Sequence, residues 1–191
     1  KGDAITFSNK NKGLLKRFEL LLQNLFNIKK VKSYPDGRLV VYSKTLIMFL
    51  KHIGFEYKNK LNIPGYFYKL PKKHIMSFIR GYFDGDGAVA MSKGYPTPKL
   101  YSISKEFLHE LQSLLQIKLC ISSKVNLHKT PKGDMYKLSI RGYAGRLKFL
   151  DIGSSNSSKM KKLEKIKDVK RIKEFQDVPY PSILVDDIRD K

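Results

Sequence analysis

Two carboxylates stand at the end of a predicted helix, where negative charge is unfavourable unless a cation is present. Asp84 and Asp86 alternate with glycine in a short Asp-Gly-Asp-Gly sequence. The preceding residues carry an apolar stripe at helical spacing, made of Ile75, Phe78, Ile79, Tyr82 and Phe83. Because the C-terminal end of a helix is negative, carboxylates there favour a metal ion or another cation. The alternative is a plain helix stop, in which glycine ends the helix and aspartate starts a turn.

A second face of the same helix has almost no side chain. Ser77, Gly81 and Gly85 recur at intervals of four, which allows another backbone to approach closely. A calcium loop starting at Asp84 fits poorly, because its sixth position is Val89 and its twelfth is Tyr95. The chain contains neither a phosphate-binding Gly-Lys-Ser/Thr loop nor a Cys/His metal spacing.

The charge balance indicates a polyanionic partner. Lys and Arg number 38 against 17 Asp and Glu, a net charge of +21. Enrichment of charge for heat tolerance would raise Glu together with Lys, and Glu is not enriched here. The 11 Tyr and 11 Phe residues argue against a disordered basic tail.

Cysteine and hydropathy indicate an intracellular protein outside membranes. Cys120 is the single cysteine, so no internal disulfide forms and a reducing compartment fits. Its apolar neighbours place Cys120 in the expected core. The sequence shows no signal peptide and no apolar run of membrane-spanning length.

An internal repeat organises the chain. Leu21-Leu-Gln23 recurs as Leu114-Leu-Gln116, at an offset of 93, and Phe49-Leu50 recurs as Phe149-Leu150. Hairpin turns are predicted at 34–37 and 130–134. We expect a first unit at 1–66, a complete second unit at 67–167, and a tail or following segment at 168–191. The first unit is expected to lack one helix and one strand, since a copy of the aspartate helix would fall before residue 1.

Two predicted strands of the second half carry polar side chains on one face. Alternation over 121–128 and 135–141 puts apolar residues inward and turns outward Lys124, Asn126, His128, Lys137, Ser139 and Arg141. The first half shows the same pattern more weakly, with Leu39 and Val41 inward and Arg38 outward. Lysines including Lys30 and Lys32 crowd its preceding strand.

The sequence resembles the LAGLIDADG homing endonucleases, particularly those embedded in inteins. Ile79-Arg-Gly-Tyr-Phe-Asp-Gly-Asp-Gly87 resembles the nine-residue family motif, and the segment from Leu70 resembles the approach to the second motif. The segment Ile5–Leu15 resembles the one that follows the first motif. The resemblance spans roughly residues 4–166.

The resemblance implies an α+β fold and metal-dependent hydrolysis of DNA. In this family two αββαββα units pair their motif helices, and their strands form a saddle over duplex DNA. Asp86 then corresponds to the carboxylate that binds Mg²⁺ or Mn²⁺, and the Gly85 carbonyl assists. Ser77, Gly81, Gly85 and Asp84 would lie at the helix–helix interface, with Asp84 bonding at the ends of the paired motif. Expected DNA contacts are Lys30, Lys32, Arg38, Lys99, Lys124, Asn126, His128, Lys137, Ser139 and Arg141.

Two departures from the family pattern leave a second function open. The family's basic residue near the metal resembles Lys10, but the offset of 93 carries that position to Ile103, with Lys105 nearby. The first motif helix is also expected outside this sequence, supplied by the parent chain or by a second copy. A non-cleaving DNA- or RNA-binding protein on the same scaffold, such as a maturase or a decayed intein, is therefore the alternative to the endonuclease.

Overall fold

Two antiparallel sheets and six α-helices form the described part of the chain. The computed structural model describes residues 4–55, 62–92, 94–131 and 133–168. The first unit contains, in chain order, β1 (Ala4–Ser8), α1 (Lys12–Phe26), β2 (Lys32–Tyr34), β3 (Arg38–Tyr42) and α2 (Lys44–His52). After a 3-10 helix at Gly65–Lys69 come α3 (Lys72–Asp86), β4 (Gly87–Ser92), β5 (Tyr95–Ser102), α4 (Lys105–Leu119), β6 (Ser123–His128), β7 (Met135–Ile140), α5 (Tyr143–Ile152) and α6 (Ser157–Glu164).

The α+β fold expected from the sequence is confirmed. From α3 to α5 the second unit has the order αββαββα. Its sheet has the strand order β4-β5-β7-β6, and the first sheet has the order β1-β3-β2. Within the described residues the first unit therefore has one strand and one helix fewer than the α3–α5 part of the second. The domain boundary at 66 and 67 stays a prediction.

Helices α1 and α4 repeat the same local geometry at an offset of 93. Asn11 caps α1 by accepting a hydrogen bond from the Leu14 amide, and Ser104 caps α4 in the same way from Phe107. Both helices end in a left-handed residue, Asn27 with φ of 53° and Cys120 with φ of 52°. The repeat seen in the sequence therefore corresponds to repeated backbone structure.

The larger core lies under the second sheet. Buried side chains of α3, β5, β7, α4 and α5 meet there, and Phe83 of α3 packs edge-on against Phe149 of α5 with ring centroids 5.1 Å apart. A smaller core in the first unit centres on Leu22, Val41 and Leu46. The apolar stripe predicted for α3 is confirmed, because Ile75, Ile79 and Phe83 are fully buried.

Two expectations at the α4–β6 connection need correction. Cys120 was expected in the core but is exposed, because it is the left-handed residue that ends α4. Strand β6 begins at Ser123 rather than at residue 121, since the Ile121 amide still donates to the Leu115 carbonyl at the helix end.

Apart from Asp168, the expected tail at 168–191 lies outside the described residues.

We expect Cys120→Gly to stabilise the protein by about 0.5–1 kcal/mol, because glycine adopts positive φ without the penalty paid by a Cβ atom. Thermal unfolding of the variant measures this difference. Asn27→Gly is the matched control and should change stability less, because asparagine tolerates the left-handed region. A destabilised Cys120→Gly variant would contradict the assignment of strain to this residue.

Candidate nucleic-acid interface and metal-binding carboxylate

Asp86 is the last residue of α3, and packing beneath the helix determines where it lies. Phe83 anchors the final turn in the core, and β4 begins at the next residue, Gly87. A Cβ atom at Gly87 would lie 2.2 Å from the Phe83 ring, so the change from helix to strand requires glycine. Asp86 itself is exposed. The structure thus presents this carboxylate on a short, rigid connection between a buried helix and a sheet.

Lys159 supplies a cation at the same helix end. Its Nζ donates to the carbonyl oxygens of Phe83 at 2.7 Å and Asp84 at 2.8 Å, and lies 5.3 Å from the centre of the Phe83 ring. The last carbonyls of a helix lack helical partners, and a cation there also opposes the helix dipole. Sequence reasoning missed Lys159 because it lies in a lysine-rich segment in which no local pattern distinguishes one lysine from the next.

Electrostatics couple Lys159 to both aspartates. Although Asp86 is exposed as a residue, neighbouring atoms partly desolvate its carboxyl and raise its pKa, whereas the Lys159 ammonium lowers that pKa. Burial lowers the pKa of Lys159, whereas Asp84 and Asp86 raise it. The pKa of Tyr82 is raised by burial and then by Asp86. Asp86 therefore lies at a partly desolvated position where a nearby positive charge favours the ionised carboxylate.

Asp84 has a different environment from Asp86. Its carboxylate is 7% exposed and accepts hydrogen bonds from the Ser154 hydroxyl and the Ser155 amide in the α5–α6 connection. We expected Asp84 to bond at the ends of a paired motif helix, but these partners belong to its own unit. Asp84 thus ties α3 to the segment that carries Lys159.

A groove of about 360 Å³ separates α1 from α3. From the first unit it is lined by Phe7, Leu14, Arg17, Phe18 and Leu21, and from the second by Ser77, Arg80, Gly81, Asp84, Gly85 and Ser155. A Cβ atom added at Gly81 or Gly85 would meet nothing within 4 Å. The face that we predicted for close backbone approach is therefore open along this groove.

Two apolar residues of the first unit, Leu21 in the groove and Phe49 on α2, are partly exposed where their counterparts in the second unit are buried. Leu21 of α1 is 45% exposed, whereas Leu114 of α4 is 0% exposed. Phe49 of α2 is 44% exposed, whereas Phe149 of α5 is 0% exposed and packs against Phe83. In the second unit, α3 belongs to the core that covers these positions. The first unit thus exposes the surface that such a helix would bury.

Lys10 and Ile103 occupy equivalent connections between a strand and a capped helix. The Asn11 amide donates to the Asn9 side chain at 2.8 Å, and the Ser104 amide donates to the Ser102 hydroxyl at 3.0 Å. Lys10 is exposed, and Ile103 is 81% exposed. The equivalence therefore puts an apolar side chain in solvent where the first unit has a lysine.

Polar side chains share one face of the second sheet, as predicted. Lys99 of β5 pairs with Ser139 of β7, which pairs with Lys124 of β6. The next row joins Tyr101, Lys137 and Asn126. His128 lies on the same face of β6, with its ring centroid 5.5 Å from that of Tyr101. Leu100, Leu138 and Ile140 on the opposite face are buried. None of the residues of β4 to β7 is acidic.

The basic residues expected in the first unit, together with Arg141 of the second, have more varied surroundings. Lys32 is exposed on β2 and lies 5.2 Å from the centre of the Tyr42 ring. Arg38 begins β3 and forms an exposed ion pair with Asp36 at 2.7 Å. Lys30 lies before β2, and Arg141 follows β7. These four side chains are therefore not gathered into one row like those of the second sheet.

The carboxylates alone do not form a metal site in the described residues. No group of three or more His, Cys, Asp or Glu residues there is close enough to hold an ion.

None of the helices described is long and apolar enough to cross a membrane.

The family model for a LAGLIDADG-like domain matches residues 73–152. This part of the chain is a LAGLIDADG-like domain. Among solved structures, variants of the homing endonuclease I-DmoI superpose with a TM-score of 0.58 at 20% identity, covering 78% of each chain. Full-length DUF199/WhiA from Thermatoga maritima gives a TM-score of 0.57 at 17% identity and covers 90% of this chain and 55% of that one. I-DmoI has been solved in complex with DNA and Mn.

Two curated relatives are archaeal proteins much longer than this chain. A DNA polymerase of Thermococcus litoralis is 36% identical over 101 residues, which are 51% of this chain and 6% of that protein. A replication factor C small subunit of Methanocaldococcus jannaschii is 31% identical over 167 residues, which are 82% of this chain and 9% of that protein. The chain therefore spans less than a tenth of either relative.

We expect Lys159→Met to raise the pKa of Asp86 and to destabilise the fold by about 1–2 kcal/mol, since charge-assisted hydrogen bonds to two carbonyls are lost. Carboxyl NMR titration measures the pKa, and thermal unfolding measures stability. A raised pKa in the folded state means that the Asp86 contribution favours folding at low pH and is lost as pH rises through that pKa. The exposed Lys161→Met is the control; equal effects of both variants would remove the special role of Lys159.

Proposed function

We propose that this protein is a homing endonuclease of the intein-embedded type, which cleaves both strands of a specific DNA duplex with the help of a divalent metal ion. The observation that carries the proposal is the rigidly held Asp86 carboxylate in a protein of +21 charge whose second sheet presents a basic face. An intracellular location follows as part of the proposal.

Asp86 and Gly85 would hold Mg²⁺ or Mn²⁺. Magnesium is bound in many phosphoryl-transfer sites by one or two carboxylates, completed by water and phosphate oxygens, so an exposed Asp86 without a three-ligand cluster fits such a site. When bound, the ion would lower the pKa of a water molecule and offset charge on the leaving oxygen. Lys159 would keep the end of α3 in place and Asp86 ionised. Lys10 would supply a cation near the phosphate.

The outward faces of the sheets would bind duplex DNA. Outward polar side chains there, including Asn126 and His128 of the edge strand β6, can contact phosphates, and Ser139 of the central strand β7 can reach base edges in the major groove. The lack of acidic residues on the strands of the second sheet supports this role. Binding should weaken steeply with salt, because counterions are released from the DNA.

The groove between α1 and α3 would receive a helix like α3. The exposure of Leu21 and Phe49, compared with the burial of Leu114 and Phe149, supports an apolar helix with a Phe83-like residue as occupant. The open sides of Gly81 and Gly85 support close contact between the two helices. The parent chain would supply this helix and with it a second carboxylate; a second copy of the chain is the other source.

Asp86→Asn is expected to reduce cleavage by at least 100-fold while changing DNA affinity less than about threefold, because the amide keeps the shape and loses the metal-binding charge. The assay uses the full-length parent protein, Mg²⁺ and a duplex that contains the uninterrupted insertion site. Asp84→Asn is the contrasting variant and should lower stability through the Ser154 and Ser155 contacts. Intact DNA with the wild-type protein in every metal tested would reject the endonuclease proposal.

Gly81→Leu is expected to reduce cleavage without unfolding the protein, because leucine fills the groove while favouring the helix by about 0.8 kcal/mol over glycine. Cleavage rate and thermal unfolding of the full-length parent are the measurements. Ser113→Leu puts the same side chain on an exposed position of α4 outside the groove and should leave cleavage unchanged. Full activity of Gly81→Leu would show that no helix packs closely against this face.

A nucleic-acid-binding protein that does not cut is the second candidate. The exposed Ile103, at the position equivalent to Lys10, favours it because one half of the site would lack a basic residue. Ile103→Lys distinguishes the two candidates. A rise in metal-dependent cleavage would indicate a weakened nuclease, whereas tight DNA or RNA binding with no cleavage in either form would indicate the binding protein.

A further inference from the structure

Two lysines stand side by side in the middle of the polar face of the second sheet. Lys99 lies on β5 and Lys137 on β7, the two central strands of the sheet. Their register partners are Ala88 and Ser139 for Lys99, and Tyr101 and Asn126 for Lys137. Because Lys99 pairs with Ser139 and Lys137 lies two residues earlier on β7, the two lysines are diagonal neighbours on the same face. Both side chains are partly buried. Burial lowers the pKa of Lys99, and the nearby charge of Lys137 adds to this effect.

Neither amine is neutralised by the protein around it. Within the described ranges neither Lys99 nor Lys137 has a hydrogen-bond acceptor or an ion-pair partner, and all residues of β4 to β7 are neutral or basic. Diagonal neighbours on adjacent strands are within reach of long side chains, so the two like charges repel each other. Such an arrangement is unfavourable for folding and favourable for a ligand with closely spaced acceptors.

We propose that Lys99 and Lys137 read guanine bases in the half of the DNA site that faces the second sheet. The inference rests on the proposed function and adds the base class recognised. A lysine amine donates and cannot accept, and in the major groove guanine presents two adjacent acceptors, N7 and O6. Adenine presents one acceptor beside a donor, which repels a second amine group. Two neighbouring amines thus favour G·C pairs with guanine toward β5 and β7.

Strand position distinguishes base reading from phosphate binding. A sheet in the major groove puts its central strands over the base edges and its edge strands near the sugar-phosphate backbone. Lys99 and Lys137 are central, whereas Lys124 lies on the edge strand β6. Lys124 should therefore contribute affinity that does not depend on sequence. It is the matched comparison within the same row as Lys99.

The test is selection from a library of random duplexes, carried out in EDTA with the protein expressed from its full-length gene. The sites selected by the wild-type protein should contain guanines. The preference for guanine at some of these base positions should fall about tenfold in Lys99→Met and Lys137→Met, as expected for the loss of one base contact. Arginine variants at these positions should keep the preference, because arginine also donates to guanine. Lys124→Met should weaken all sequences alike and reduce the salt slope by about 1. Lys161→Met, on α6, is the control for net charge.

Each outcome has one meaning. Selected sites without guanine at the affected positions, or a uniform loss of affinity in Lys99→Met and Lys137→Met, would overturn the guanine assignment and leave site-specific DNA binding intact. Failure of the wild-type protein to enrich any sequence would reject the proposed function itself. Thermal unfolding shows that the variants are folded; both methionine variants should be at least as stable as the wild type, because they remove the repulsion between the lysines.

Discussion

The end of α3 is held by an aromatic contact and by a charged one. Phe83 packs into the core against Phe149, and the Lys159 ammonium donates to the Phe83 and Asp84 carbonyls. A helix end with free carbonyls frays easily, and a carboxylate on a fraying turn has no defined position. The aromatic contact and the charge together convert this end into a fixed support for Asp86. The same lysine reduces the electrostatic cost of keeping two aspartates near a negative helix end.

Asp84 and Asp86 have the same side chain but different environments, and the environments give them different roles. Asp84 turns inward, where the Ser154 hydroxyl and Ser155 amide satisfy its oxygens. Asp86 turns outward, and Lys159 does not bond directly to its carboxylate. A carboxylate whose oxygens accept hydrogen bonds inside the protein stabilises the structure, whereas a carboxylate whose oxygens remain available can bind a ligand. Asp84 also fixes the α5–α6 connection, so the structural aspartate helps to place the lysine that supports the other.

The two units differ in how much apolar surface they leave exposed, although their backbones repeat. The counterparts of buried Leu114 and Phe149 are nearly half exposed. Each therefore forgoes nearly half of the about 1.5–3 kcal/mol that full burial of such a side chain contributes. Apolar surface arranged around an open glycine face favours association with another helix. The basic face of the second sheet lies on the side opposite its core, so helix packing and DNA binding would use different surfaces.

Local periodicity allowed much of this protein to be predicted from sequence. The stripe of α3, the glycine face, the alternation in β6 and β7 and the offset of 93 between the repeats all depend on backbone periods of 3.6 and 2, which a sequence displays directly. The same rule predicted that Lys137 faces outward and that Leu138 faces inward. Cys120 was misplaced because its apolar neighbours hide a helix end that only the backbone angles reveal.

The remaining features arise from contacts between distant segments. Asp84 meets Ser154 across 70 residues, Lys159 meets Phe83 across 76, and Lys99 meets Lys137 only because β5 pairs with β7. None of these pairs has a periodic signal, and each depends on how helices and strands pack. The sequence by itself determined the elements, the outward polar residues and the position of the aspartates at a helix end. The tertiary structure decided which cation supports Asp86 and which lysines stand together, because packing alone brings those side chains within reach.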